Sequence, residues 1–99
     1  MNAINTVDQE AALGMMSAAK ARALGIEPRR WVYPMAAADA SDRWFVSERA
    51  ELSRCPAIAA CGRRLFEATG LAVDDIDYLD LYSCFPSAVQ MARNALSIA

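Results

Sequence analysis

The chain contains no histidine. That absence removes Ser-His-Asp and Cys-His catalysis from this chain, together with the commonest zinc ligand. Any chemistry carried here rests on carboxylates, thiols, tyrosines and backbone N–H groups, and no metal site is expected. Cysteine is sparse and odd in number, with only Cys55, Cys61 and Cys84. Such a set makes no disulfide frame and reads as free thiols in a reducing, cytoplasmic setting. No apolar run approaches the roughly 20 residues of a membrane span. Residues 1–5 show neither the charged nor the apolar region of a signal peptide. Ten basic residues stand against twelve acidic ones, for a formal net charge of −2, so no basic field holds a nucleic acid backbone.

What is present is apolar surface. Hydrophobic residues, many of them alanine, make up 56 % of a chain of 99 residues. A chain of this size forms one domain at most and buries a smaller share of its surface than a large domain does. The excess therefore expects a cover, either a partner or further parts of the same protein. Both ends of the sequence read as cut.

Alanine, leucine and methionine predict a core helix over Gln9–Leu24, with Asp8 at its start and Gly25 as its stop. Arg29 and Arg30, in the following turn, are candidates for phosphate contact, although two arginines in a turn are more often simply solvated. Trp31–Met35 has the composition of a strand, and Pro34 places it at an edge or bulge. Asp39–Ser53 is a long irregular segment in which Trp44 and Phe45 are expected to pin the loop to the body, or else onto a ligand or partner. A second helix is expected from Pro56 to about Thr69. Ile58, Cys61, Leu65 and Ala68 would form its apolar stripe, and Arg63, Arg64 and Glu67 its wet face. Gly70 would end it in the left-handed region, with Leu71 in a Schellman contact. Asp74, Asp75, Asp77 and Asp80 do not follow the calcium-loop spacing, and they read as turn and helix-start acids.

Tyr78–Tyr82 then reads as a buried strand running into a polar corner at Ser83 and Cys84, with Ser83 as the cap of a last helix starting near Pro86. Ala88, Val89, Ala92, Ala95 and Leu96 share one face of that helix. Strand, corner, helix start is an arrangement that displays side chains and free N–H groups.

Two blocks give the chain a resemblance to the thiolase superfamily, and within it to acetyl-CoA acetyltransferases and sterol-carrier-type thiolase-like proteins. Asn2-Ala3-Ile4-Asn5-Thr6-Val7-Asp8-Gln9-Glu10-Ala11-Ala12 is similar to that family's Asn-Ala-Ser-Gly-x-Asn-Asp-Gly-Ala-Ala-Ala segment. Gly70-Leu71, then Asp75-Ile76-Asp77-Tyr78-Leu79-Asp80-Leu81, then Tyr82-Ser83-Cys84-Phe85, is similar to its Gly-Leu, Asp-Ile-Asp and Asn-Glu-Ala-Phe (or His-Asp-Cys-Phe) run. The resemblance implies an α/β fold, a partial thiolase-like arrangement of helices packed on a short mixed sheet within a five-layered αβαβα architecture. Residues 1–30 would end the N-terminal thiolase-like half and residues 31–99 begin the C-terminal one.

The resemblance also implies a transferase of lipid metabolism that takes its acyl group from a coenzyme A thioester. That thioester is the substrate, and no cofactor is bound covalently. Tyr82 takes the oxyanion or water position of the Asn-Glu-Ala-Phe motif, where the family has Asn or His. Ser83 replaces the motif's acid. Ile4 stands where the family has a serine near the pantetheine, and Ile4 and Phe85 become walls of the acyl-CoA pocket. Cys84 is not at the nucleophile position. The nucleophilic cysteine and the Gly-His-Pro segment are absent from this chain, so it is expected to be inactive alone. Its implied partners are an acyl-CoA and either the remaining thiolase segments or a second subunit. The alternative is a non-catalytic thiolase-like module that binds a protein partner, or coenzyme A through Arg29, Arg30 or Arg43.

Overall fold

Pro56 starts the longest helix among the described residues for a physical reason: its fixed φ suits the first helical turn, and its missing N–H is one the helix leaves unpaired there anyway. In the computed structural model, which describes residues 4 and 6–98, this helix spans Pro56–Thr69. Two further α-helices are present among the described residues. In chain order they are α1 (Ala18–Ala23), α2 (Pro56–Thr69) and α3 (Pro86–Ala95). Three single 3-10 turns, Pro28–Arg30, Val46–Glu48 and Val73–Asp75, punctuate the connections. The described residues divide into two units, one from 6–34 and the other from 35–98 with Ile4.

In the larger unit α2 packs on α3. Ile58, Cys61 and Leu65 of α2 are half-buried, as are Ala88, Val89, Ala95 and Leu96 along α3, while Arg63, Arg64 and Glu67 face solvent. The expected stripes are therefore in place, apart from Ala68, which is exposed. Gly62 and Ala92 are the buried residues of the pair, and a Cβ added at Gly62 would lie 2.3 Å from Leu96 Cδ2. The missing side chain at Gly62 is what lets Leu96 close over α2.

Each helix ends on a left-handed residue. Gly70, at φ +71°, closes α2 with a single bond from its N–H to the Phe66 carbonyl (2.8 Å). The Leu71 N–H turns instead to Thr69 Oγ1 at 3.3 Å. The expected Schellman pattern is thus replaced at this end by the simpler left-handed cap. The full pattern appears at the other two ends. In α1, Gly25 N–H meets the Arg22 carbonyl and Ile26 N–H meets the Ala21 carbonyl, both at 3.0 Å. In α3, Ser97 (φ +57°) bonds the Asn94 carbonyl and Ile98 the Arg93 carbonyl. The last helix is therefore capped at its C-terminal end.

The α/β expectation is overturned: there is no strand among the described residues, so no helix packs on a mixed sheet. Trp31–Met35 follows a 3-10 turn as irregular chain, and Tyr78–Tyr82 is irregular and mostly exposed, Tyr78 being 93 % accessible. Their β-favouring side chains express a fit to a pleated, half-buried surface. Strand structure needs a second strand to supply the ladder, and neither segment has one among the described residues. Pro34 removes a donor from the first segment.

The expected helix Gln9–Leu24 shortens to α1. Ser17 replaces Asp8 as its N-cap, its Oγ accepting the Lys20 N–H at 3.2 Å. Residues 6–16 are irregular, with Leu13 and Met15 97 % and 95 % exposed. Helix propensity alone stabilises weakly, most helical stability comes from packing, and Gly14 costs about 1 kcal/mol inside such a run. The N-terminal half of the run has the propensity without the packing.

Trp44 and Phe45 do not pin the 39–53 loop, as Trp44 is 88 % exposed. The loop is held by polar contacts instead. Arg49 Nε and Nη2 both donate to the Arg43 carbonyl at 3.1 and 3.0 Å, and Asp42 Oδ1 accepts the Arg43 N–H at 2.8 Å.

Candidate functional site

The corner before α3 is built by the residues on either side of Cys84. Phe85 precedes a proline and takes the extended conformation that a proline imposes on the preceding residue, φ −135° and ψ 146°. Ser83 Oγ donates to the Phe85 carbonyl, which tightens the turn. Ser83 therefore does not cap α3: Phe85 is the N-cap residue, and it makes no side-chain capping bond. Asp75 settles the preceding turn by accepting the Ala72 N–H at 2.8 Å. No group of acids or thiols that could hold a metal occurs among the described residues.

Tyr82 is 83 % exposed, and its hydroxyl lies 2.9 Å from Cys84 Sγ. The phenol is held above the ordinary tyrosine value of 10.0, first by donating to Cys84, then by the charge of the Cys84 thiolate, and last by slight desolvation. The contact therefore holds while the phenol keeps its proton and is lost as pH rises through the raised value. In an ultraviolet phenolate titration, the difference between the chain and its Tyr82→Phe variant isolates this group. Its midpoint is expected above 10.0, and Cys84→Ala is expected to return it to the ordinary value. An ordinary midpoint in the unmutated chain would remove the contact.

No family model, curated protein or solved structure matches this chain. The site is argued from its own residues.

Of the residues expected to line an acyl-CoA pocket, Tyr82 and Phe85 share the exposed corner. Ile4 is 74 % exposed, and no described hydrogen bond draws its backbone toward them. Asn2, Ala3 and Asn5 of the first resemblance block lie outside the described residues. Arg29 is paired with Glu27 at the surface.

One cleft was not anticipated from the sequence. It lies between the start of α2 and the end of α3, with a volume of about 660 Å³, and Cys55, Arg54, Glu51, Met91 and Asn94 are among its walls. Cys55 is half-buried, and its thiol donates to Asp42 Oδ2 at 3.7 Å. Arg54 pairs with Glu51 at 3.2 Å, and Glu51 also accepts from Ser53 Oγ at 2.7 Å. The polar groups of the lip are thus largely engaged with one another. The only legible signal for this cleft was the Cys-Pro pair that starts a helix, which by itself says nothing of the α3 residues opposite.

Proposed function

We propose that this chain is part of a thiolase-like acyltransferase acting on acyl-CoA thioesters. In this reading it supplies one wall of the acyl-CoA site, and the reacting cysteine is carried by another segment or subunit. The observation that carries the reading is the ordered block Gly70-Leu71, Asp75–Leu81, Tyr82–Phe85, which ends at a corner whose two large side chains, Tyr82 and Phe85, are left exposed immediately before a helix. Tyr82 carries an exposed phenolic hydroxyl, which can donate to a developing thioester oxyanion on exchanging its contact with Cys84 for the substrate. Phe85 offers an apolar face to an acyl or pantetheine chain. The chain has no histidine to activate a nucleophile.

The purified chain is expected to give no acetoacetyl-CoA thiolysis above background. With thiolase-like segments that carry the nucleophilic cysteine and Gly-His-Pro, turnover is expected, and Tyr82→Phe should lower it by roughly ten- to a hundred-fold, the scale of a lost oxyanion donor. Thiolysis by the chain alone would overturn the division of labour. Flanking reading frames that encode neither the cysteine nor Gly-His-Pro would remove the main support for the reading.

The exposure of Trp44, Phe45, Tyr78 and Leu79 favours a second reading, a non-catalytic thiolase-like module that docks on a protein partner. The two readings separate on the Tyr82→Phe result, because a docking module has no turnover for that substitution to lower.

A further inference from the structure

Within the 6–34 unit, Trp31 is fixed from three sides. Its Nε1–H donates to the Ile26 carbonyl at 3.0 Å, the Arg22 guanidinium lies 5.3 Å from the ring centroid, and Tyr33 meets it edge-on at 6.4 Å and 69°. Beside this indole is a cleft open to solvent, of about 240 Å³, with walls that include Met16, Ala21, Ile26, Trp31 and Tyr33. Arg30 is the one charged residue of its lining and has no carboxylate partner among the described residues. Glu27, the nearest acid in sequence, is occupied by Arg29.

A cavity of this size equals about eight waters of liquid volume, which suits one aromatic ring with a short substituent. The walls supply aromatic edges and a thioether, both of which favour a flat ring. The lone guanidinium supplies a planar fork that matches a carboxylate. We propose that this cavity binds a small aromatic monocarboxylate, its ring against Trp31 and Tyr33 and its carboxylate on Arg30. Trp31 is already placed by its three contacts, and binding must order the exposed Tyr33 and Arg30 side chains. The proposal uses none of the residues of the thiolase reading and stands or falls separately from it.

The test uses the full chain with Trp44→Phe, which leaves Trp31 as the sole tryptophan, and phenylacetate as the probe. Indole fluorescence and the Trp31 Nε1–H resonance are followed together. Saturable binding is expected at a Kd on the order of 1 mM for a ligand of about ten non-hydrogen atoms. Phenylacetamide, the neutral isostere, is expected to bind about five-fold more weakly, the scale of one charge-assisted hydrogen bond at a solvated site. Arg30→Gln should weaken phenylacetate by a similar factor and leave phenylacetamide unchanged, and Arg30→Lys should weaken phenylacetate less than Arg30→Gln does. Equal binding of acid and amide, a non-saturating response, or an unmoved Trp31 resonance would overturn the proposal.

Discussion

Gly62→Ala is expected to destabilise the α2–α3 pair, and the same substitution in a Leu96→Ala background is expected to stabilise it. The change of sign follows from two opposed effects. Inside a helix, alanine is better than glycine by about 1 kcal/mol. At Gly62, however, the new Cβ would lie 2.3 Å from Leu96 Cδ2, closer than two non-bonded carbons approach. Leu96 must then leave the position in which it covers α2, and overpacking of this kind costs about 1–3 kcal/mol. The net loss is about 1 kcal/mol. With Leu96 shortened to alanine the clash disappears and only the helix preference remains, a gain of about 1 kcal/mol. The coupling between the two sites is then about 2 kcal/mol, within the range for residues in direct contact. Urea titration of helical circular dichroism in the four chains of the cycle measures it. Additive effects would mean that Leu96 does not close over Gly62.

The same pair shows how far the sequence could be read. Gly62 sits in the middle of a helix-forming run, and nothing in its immediate neighbours says whether it is tolerated or needed. The need comes from Leu96, more than thirty positions away, and so only from the packing of α3 on α2. Local signals were more dependable. Pro56 and Pro86 mark their helix starts because proline's fixed φ acts at its own position. Gly25 and Gly70 mark their helix ends because only glycine enters the left-handed region without strain. Ser97 escapes this logic: its left-handed conformation is held by the bonds of Ser97 and Ile98 to α3 carbonyls and by Arg93 Nε on the Ile98 carbonyl at 3.1 Å.

The strands were misread for the opposite reason. Trp31–Met35 and Tyr78–Tyr82 carry β-favouring side chains, but strand formation is decided by a partner strand, and no residue of either segment specifies one. The site was legible to the same extent. Tyr82 and Phe85 could be placed at a corner because Pro86 fixes where α3 begins. The contact of Tyr82 with Cys84 depends on the bend at Cys84 and Phe85, which composition does not reveal. The Trp31 cavity was hidden behind the strand reading, because a strand would have sent Trp31 and Tyr33 to the same face of a sheet instead of edge-on beside a helix end.

Gly25→Val is expected to abolish the fixed environment of Trp31. Gly25 lies at φ +69°, where a β-branched residue is strained by at least about 1–2 kcal/mol. That conformation delivers the Gly25 and Ile26 N–H groups to the last carbonyls of α1, and it turns the chain so that the Ile26 carbonyl receives the Trp31 indole N–H. Helix α1 is only six residues long. A helix that short has little stability of its own and depends on its caps and on what packs against it. The strain at Gly25 is therefore comparable with everything that holds the arrangement, and its loss should be nearly complete. The Trp31 Nε1–H resonance should move to the position of a solvated indole and lose its protection from exchange, and phenylacetate binding should go with it. Gly25→Asn should fall between the two chains, since asparagine enters the left-handed region more readily than valine. Leu24→Val, one residue earlier at φ −86°, serves as the control for β-branching without positive φ and should leave the indole signal in place. A Gly25→Val chain with an unchanged Trp31 resonance would show that the indole is held by Arg22 and Tyr33 alone, and that the helix end contributes nothing to the cavity.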